Sequence, residues 1–277
     1  MLQFIDTHAH LDGEEFKDDL PEVMLRAKAA GVKNVFLPSI NLPSVDSVLA
    51  VCGRFPGYAL PMIGLHPEEV KADFKDVLAA MRSRLDASLQ GGGGSPQEEK
   101  AGAASRFIAI GEVGLDFYWS REYENEQLEA FEEQVKWSVE TRLPLMIHCR
   151  KAQNELVSIL RKYENTLPGG VFHCFTGNRK EAGELLAFPR FVLGIGGVCT
   201  FKSSYLREDL PAAVPLERIV LETDSPYMTP VPRRGERNES AFVGLVLRQL
   251  ADSYGVTEEE VARITNGNVN RVFGLNL

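Results

Sequence analysis

Five histidines occur in the 277 residues, and each lies at the end of a short apolar segment rich in β-branched residues. The first such segment ends in Asp6-Thr-His-Ala-His-Leu-Asp12, which holds His8 and His10. Since side chains alternate along a strand, a spacing of two points both imidazoles to the same face. The other three histidines end the third, fifth and sixth segments, and they are His66, His148 and His173. This placement predicts imidazoles presented at strand ends, where they could ligate a metal ion.

Two carboxylates occupy equivalent places. Glu112 ends the fourth apolar segment, and Asp224 follows the eighth. Gathering several ionisable groups at one place without cations would cost several kcal/mol for each buried charge. A set of histidines and carboxylates without paired cysteines suits divalent ions such as Zn²⁺, Mn²⁺, Ni²⁺ or Mg²⁺. Four imidazoles and two carboxylates are enough ligands for two such ions.

The elements that must position these side chains alternate between strands and helices. Amphipathic stretches separate the apolar segments, and the clearest of them predict helices over Leu20–Ala30, Gln127–Arg142, Leu245–Tyr254 and Glu258–Thr265. The eight predicted strands are Gln3–Asp6, Asn34–Pro38, Ala59–Gly64, Phe107–Glu112, Leu145–His148, Val171–Cys174, Phe191–Gly194 and Ile219–Glu222. The pattern predicts an α/β fold of the (β/α)8 TIM barrel type, in which strand ends converge on one mouth. A doubly wound open sheet is the alternative, but it would concentrate the ligands near a single switch point.

Length and composition fit one globular domain over residues 1–277. Apolar residues make up 44% and charged residues 25% of the chain. The net charge of −9 argues against a protein held on duplex nucleic acid by bulk charge, although a local basic groove remains open. The sequence has no membrane-spanning run and no signal-peptide pattern, so we expect a cytoplasmic protein with its four cysteines reduced.

A Gly-rich insertion at about 90–105 interrupts this pattern with the composition of a flexible linker. A phosphate-binding glycine loop should follow a strand and open a helix, whereas this segment follows a predicted helix. We therefore expect it on the face of the barrel away from the chemistry, with no catalytic role.

The motifs together resemble those of the TatD family of metal-dependent deoxyribonucleases, within the amidohydrolase-like superfamily. The matching motifs are Asp6-Thr-His-Ala-His-Leu-Asp12, Gly64-Leu-His-Pro67, Gly111-Glu-Val-Gly-Leu-Asp116, His148-x-Arg150, His173-Cys-Phe-Thr-Gly177, Glu222-Thr-Asp-Ser-Pro-Tyr227, Arg237-Asn-Glu239 and the tail Asn266-Gly-Asn-Val-Asn-Arg-Val-Phe273. They occur in the family's order and cover nearly the whole chain. Ser240 stands where the family usually has proline, and the Gly-rich insertion is not part of the family pattern.

The resemblance implies a site for two divalent ions, Mg²⁺, Mn²⁺ or Zn²⁺. The implied ligands are His8, His10 and Asp224 for one ion, His148 and His173 for the other, and Glu112 as the bridge between the two. Asp224 would orient the attacking water and accept its proton as general base. His66 and Arg150 are the candidates to offset charge on the phosphoryl oxygens.

The expected reaction is hydrolysis of phosphodiester bonds at the ends of single-stranded DNA, or of RNA, by an exonuclease. Glu112 stands at the position where many cyclic-amide hydrolases of the superfamily carry a carboxylated lysine, which favours phosphoester chemistry. Aromatic residues in the loops after the strands, among them Phe117, Tyr118, Trp119 and Tyr227, could stack on unpaired bases. No obligate protein partner is implied. The alternatives are a metal-dependent amidohydrolase or esterase acting on a small metabolite, and a binding protein without catalysis.

Overall fold

The computed structural model describes residues 2–90 and 106–277. The Gly-rich insertion predicted at about 90–105 lies outside the described residues except for Gln90, which ends a helix. The described residues contain eight strands: β1 (Phe4–Asp6), β2 (Val32–Pro38), β3 (Ala59–Met62), β4 (Ile110–Asp116), β5 (Leu145–Arg150), β6 (Gly170–Phe172), β7 (Phe191–Ile195) and β8 (Ile219–Leu221).

Nine α-helices alternate with these strands in the described part of the chain. They are α1 (Leu20–Ala30), α2 (Leu42–Arg54), α3 (Phe74–Gln90), α4 (Glu124–Thr141), α5 (Gln153–Lys162), α6 (Arg179–Leu186), α7 (Leu206–Ala213), α8 (Val243–Tyr254) and α9 (Glu258–Phe273). All eight predicted strands are present, and the strands pair in parallel with helices between them. The fold is therefore the predicted α/β fold of the (β/α)8 type.

The fourth strand departs from its predicted bounds. It begins three residues later than expected and continues to Asp116, because its second half pairs with the end of β5, from Val113 opposite Ile147 to Asp116 opposite Arg150. Gly114 allows this approach, since a Cβ at its position would lie 1.8 Å from the carbonyl oxygen of His148. The prediction that Glu112 ends the fourth strand was wrong: Glu112 lies within the strand, and Asp116 stands at its end.

The chain divides into two compact units, of which the first comprises Met1–Phe36 and Val171–Leu277. Within it β1 pairs with β2 and β7 pairs with β8. The backbone N–H of Thr7 donates to the carbonyl oxygen of Leu221 at 3.0 Å, and Ala9 forms a parallel bridge with Ser225. These bonds bring the chain beyond β1 beside the chain beyond β8, where candidate ligands lie on both segments.

Helices α8 and α9 also belong to the first unit. Helix α9 runs eight residues further than the predicted Glu258–Thr265, through Gly267 to Phe273. Asn268 explains why this extension is stable, since its buried side-chain amide donates to the carbonyl oxygens of Leu216 at 2.8 Å and Ile219 at 2.7 Å. Tertiary hydrogen bonds thus override the weak helix propensity of an Asn-Gly-Asn stretch.

The second unit comprises Leu37–Gly170. Strand β4, buried along its whole length, pairs with β5, and Ile63 after β3 bridges to Ile110. Helix α2 begins at a capping box in which Asn41 accepts from the Ser44 backbone while the Ser44 hydroxyl accepts from the Asn41 backbone. Among the described residues, no helix is both long enough and apolar enough to cross a membrane.

Candidate metal centre

The first unit brings His8, His10 and Asp224 together. The Nε2 atoms of the two imidazoles lie 3.2 Å apart, and Asp224 Oδ1 lies 3.8 Å from His8 Nε2 and 3.7 Å from His10 Nε2. His8 is buried, while His10 and Asp224 are partly accessible. One ligand atom from each residue lies within 4.8 Å of the other two, so these three side chains could hold a metal ion.

The backbone of Asp224 is fixed in an uncommon conformation. Its φ of 55° lies in the left-handed region, which costs a residue with a side chain on the order of 1–2 kcal/mol. Two hydrogen bonds hold it there: its N–H donates to the carbonyl oxygen of His8 at 2.9 Å, and its carbonyl oxygen accepts from the N–H of Tyr227 at 2.8 Å. The first of these bonds ties the carboxylate directly to a neighbouring ligand.

Asp6, the last residue of β1, holds the segment that carries Asp224. Its buried carboxylate accepts from the backbone N–H of Thr223 at 2.9 Å and from the Thr223 hydroxyl at 2.7 Å, which fixes the residue that precedes Asp224. Burial raises the pKa of Asp6 to about 7, and the hydrogen-bonding groups around its carboxylate only partly oppose this. Sequence reasoning assigned no role to Asp6.

His173 lies in the same unit and stacks on His8, with ring centroids 3.9 Å apart. Its Nδ1 is 3.6 Å from Oε1 of the buried Glu222, and that oxygen also accepts the N–H of Cys174 at 2.5 Å. Gly194 makes room for this carboxylate, because a Cβ there would lie 2.1 Å from Glu222 Oε2. Glu222 therefore faces Nδ1 of His173 and orients the imidazole ring.

The second unit brings His66, Glu112 and His148 together around Oε1 of Glu112. This oxygen lies 3.3 Å from His66 Nε2 and 3.1 Å from His148 Nδ1. Glu112 is almost fully buried, and the two imidazoles cross at 70° with centroids 4.5 Å apart. These three residues form a second group that could hold a metal ion.

Asp116 decides which nitrogen of His148 is available. Its Oδ2 lies 2.8 Å from His148 Nε2, and its Oδ1 accepts the N–H of Tyr118 at 2.9 Å. Burial alone would raise the pKa of Asp116, but the bonds from His148 and Tyr118 outweigh it and lower the pKa, so the carboxylate is ionised. An ionised carboxylate only accepts, so His148 Nε2 carries a proton and the Nδ1 lone pair faces Glu112.

His66 is committed to the opposite arrangement. Its Nδ1 accepts the backbone N–H of Glu68 at 3.2 Å, so Nε2 carries the proton and donates to Glu112. Burial lowers the pKa of His66, which the negative charge of Glu112 partly opposes. His66 is therefore better suited to hold Glu112 as a neutral donor than to ligate an ion.

The donor atoms fit divalent ions. His8 Nε2, His10 Nε2 and an oxygen of Asp224 lie close together, as do His148 Nδ1 and an oxygen of Glu112, and each of these atoms accepts when it carries no proton. Acceptors this close repel unless a cation or a proton lies between them. Ligands about 2.0–2.2 Å from a common ion stand roughly 3.0–3.5 Å apart at tetrahedral or octahedral angles, and the separations of 3.1–3.8 Å are close to this range.

Two further predictions concern Arg150 and the ligands of the second ion. The guanidinium of Arg150 lies over the ring of Tyr118, with Cζ 3.6 Å from its centroid. The sharing of a second ion by His148 and His173, with Glu112 as bridge, stays a prediction. Sequence reasoning missed the supporting carboxylates Asp6, Asp116 and Glu222, although each lies within a motif noted for its ligand.

The amino-acid sequence is similar to those of known proteins. The sequence profile of the TatD related DNase family matches residues 5–274. The chain is 33% identical over 271 residues to the uncharacterized metal-dependent hydrolase YabD of Bacillus subtilis, covering 98% of this chain and 99% of YabD. It is 31% identical over 274 residues to the 3'-5' ssDNA/RNA exonuclease TatD of Pectobacterium carotovorum, covering 98% and 99%.

A solved structure agrees with these matches. The crystal structure of YJJV, a TatD homolog from Escherichia coli, aligns with a TM-score of 0.85 and 26% identity, covering 99% of this chain and 98% of YJJV. The chain therefore belongs to the TatD related DNase family.

Proposed function

We propose that this protein is a metal-dependent exonuclease that hydrolyses phosphodiester bonds at the ends of single-stranded DNA or RNA. The observation that carries the proposal is that the chain has two clusters of His and carboxylate side chains, and within each cluster the candidate ligand atoms lie 3.1–3.8 Å apart. The named activity of the TatD relative from Pectobacterium supports the choice of substrate. The reaction breaks one P–O bond and joins a water oxygen to phosphorus, while one proton of the water ends on the departing oxygen, which leaves as a hydroxyl group.

The clusters would hold two divalent ions, Mg²⁺, Mn²⁺ or Zn²⁺. His8, His10 and Asp224 would hold one, and the Nδ1 of His148 with Glu112 would hold the other, while His173 remains the further ligand expected from the resemblance. When bound, such ions supply positive charge to the phosphoryl oxygens and make a nearby water more acidic.

Asp224 is the base in this proposal. Its carboxylate is partly accessible, and its backbone is fixed through the bonds to His8 and Tyr227. A carboxylate held in this way can orient a water molecule and accept its proton at an oxygen without prior rearrangement. The ordered Thr223 beside it, which donates to Asp6, limits movement of the loop.

His66 would orient the carboxylate of Glu112, and Arg150 would offset negative charge on the phosphate. His66 donates its Nε2 proton toward Glu112 and keeps that carboxylate in one orientation. Arg150, two residues past His148, adds a permanent positive charge on the same strand end, where it offsets the charge on the phosphate. Exchange of Glu112 for a neutral residue would leave His66 without its acceptor and would remove the carboxylate that faces His148 Nδ1.

The proposal is tested with end-labelled single-stranded DNA and added Mg²⁺, Mn²⁺ or Zn²⁺, against a chelator control. We expect metal-dependent release of nucleotides by the wild type, and loss of both turnover and bound metal in Glu112→Ala and Asp224→Ala. Asp86→Asn, which changes a partly exposed carboxylate paired with Arg82 away from both clusters, is the matched control and should behave like the wild type.

Two outcomes would overturn the proposal. Metal-dependent hydrolysis of a cyclic amide or a lactone, with none of DNA or RNA, would support the small-metabolite hydrolase instead. Full metal content and full nuclease activity in both alanine variants would show that Glu112 and Asp224 are neither ligands nor base.

A further inference from the structure

Two large aromatic side chains stand exposed in the loop between β4 and α4. Tyr118 is 49% and Trp119 is 70% accessible, although the loop begins directly at the end of the buried strand β4. Their rings meet edge to face, with centroids 4.8 Å apart and planes at 85°. Exposed aromatic surface of this size beside a candidate site indicates a binding role.

Arg150 organises this pair. Its Cζ lies 3.6 Å from the ring centroid of Tyr118 and 5.3 Å from that of Trp119, so one guanidinium contacts both rings. Cations at such distances are attracted to aromatic faces. The contact combines two flat apolar surfaces with one positive charge.

The base of the loop is fixed to the second metal-ligand cluster. Phe117 is buried, and its N–H donates to the carbonyl oxygen of Arg150 at 3.0 Å. The N–H of Tyr118 donates to Asp116, whose other oxygen lies 2.8 Å from His148 Nε2. Tyr118 therefore lies two residues after the carboxylate that orients a candidate ligand, and is hydrogen-bonded to it.

We propose that Tyr118, Trp119 and Arg150 form a stacking site for one unpaired nucleobase of the substrate. The inference rests on the proposed nuclease function and deepens it by assigning the group that is recognised. A nucleobase offers a flat π-face for the aromatic rings, and the phosphate attached to its nucleoside offers a negative charge for the guanidinium. Bases inside a duplex have both faces covered by neighbours, so the site selects single strands, and it does so with little preference among the four bases.

Tryptophan fluorescence reports on this site directly. The chain has two tryptophans, Trp119 and Trp137, and Trp137 is only 2% accessible. We would titrate the full-length protein, in chelator so that hydrolysis is prevented, with an oligothymidylate and with the same oligonucleotide carrying abasic terminal nucleotides. The oligothymidylate should quench the emission of Trp119, while the abasic probe should bind more weakly with little quenching.

Substitutions separate aromatic stacking from general hydrophobic contact. Trp119→Leu and Tyr118→Leu keep apolar bulk but remove the aromatic plane, and each should weaken binding of the oligothymidylate about 5- to 100-fold. Trp119→Phe should restore most of the affinity. Leu25→Ala removes a 66% accessible apolar side chain on α1 and is the control for unrelated surface changes. All variants should bind the abasic probe equally.

The results distinguish failure of this site from failure of the proposed function. Equal affinity of Trp119→Leu, Tyr118→Leu and wild type for the oligothymidylate overturns the stacking site, even if the wild type hydrolyses DNA. Binding and quenching that depend on Trp119, without any metal-dependent hydrolysis by the wild type, support the site and overturn the nuclease proposal.

Discussion

Asp116→Asn tests how the second cluster selects its ligand atom. The carboxylate is only 2% accessible and accepts from two groups, the N–H of Tyr118 at 2.9 Å and His148 Nε2 at 2.8 Å. A backbone N–H can only donate, so the oxygen of the new asparagine must stay with Tyr118. Its NH2 group then faces His148 Nε2, which has to accept and transfers its proton to Nδ1.

The expected loss follows from this change of tautomer. A proton on Nδ1 would point at Glu112 Oε1, 3.1 Å away, and would occupy the lone pair that we assign to the metal ion. Loss of a partner that orients a ligand typically weakens metal binding about 10- to 100-fold, which is about 1.4–2.7 kcal/mol. Because asparagine has nearly the same size and keeps the bond to Tyr118, we expect the fold to be retained.

Calorimetric titration of the metal-free protein with Co²⁺ or Zn²⁺ measures this loss of metal affinity. The nitrogen chemical shifts of His148 report its tautomer. Asp86→Asn again serves as the matched control, since Asp86 is partly exposed and pairs with Arg82. Affinity of Asp116→Asn within twofold of the wild type, with an unchanged His148 tautomer, would refute the reasoning.

Three further predictions concern the supporting residues and the metal. Gly194→Ala should displace the buried carboxylate of Glu222 and lower the free energy of unfolding by about 1–3 kcal/mol, whereas Gly183→Ala, with no atom within 4 Å of the added Cβ, should be neutral or stabilising in the same denaturant titration. In the metal-free protein, the pKa of Asp6, raised by burial from 3.8 to about 7, means that the folded state binds more protons than the unfolded state between these values, so stability should fall as pH rises from about 4 to 7. In Asp6→Asn this decrease in the free energy of unfolding, which amounts to up to about 4 kcal/mol by pH 8, should be absent. A pH dependence equal to that of the wild type would contradict the assignment. Addition of Zn²⁺ or Mn²⁺ at about 100 times its Kd should stabilise the metal-free protein by about 2.7 kcal/mol, seen as a rise in Tm of about 5 °C. An unchanged Tm would argue against ion binding by the folded state.

Much of the fold could be predicted from local pattern. Helix α1 begins and ends at the predicted residues, because its apolar spacing and the glycine that follows it are local features. The eight strands were recognisable as apolar runs for the same reason. The bounds of β4 were not, since its second half depends on pairing with β5 and on the close approach at Gly114, which are contacts between segments.

The amino-acid sequence by itself determined the types of ligand and their places near strand ends, because the alternation of side chains along a strand presents His8 and His10 together. The tertiary structure decided what each ligand can do. The bonds of Asp6 to Thr223 join residues 217 positions apart, the left-handed backbone of Asp224 depends on His8, and the orientation of the His148 ring depends on Asp116. Hydrogen-bond partners of this kind are set by proximity in space, to which the spacing of residues along the chain gives no access.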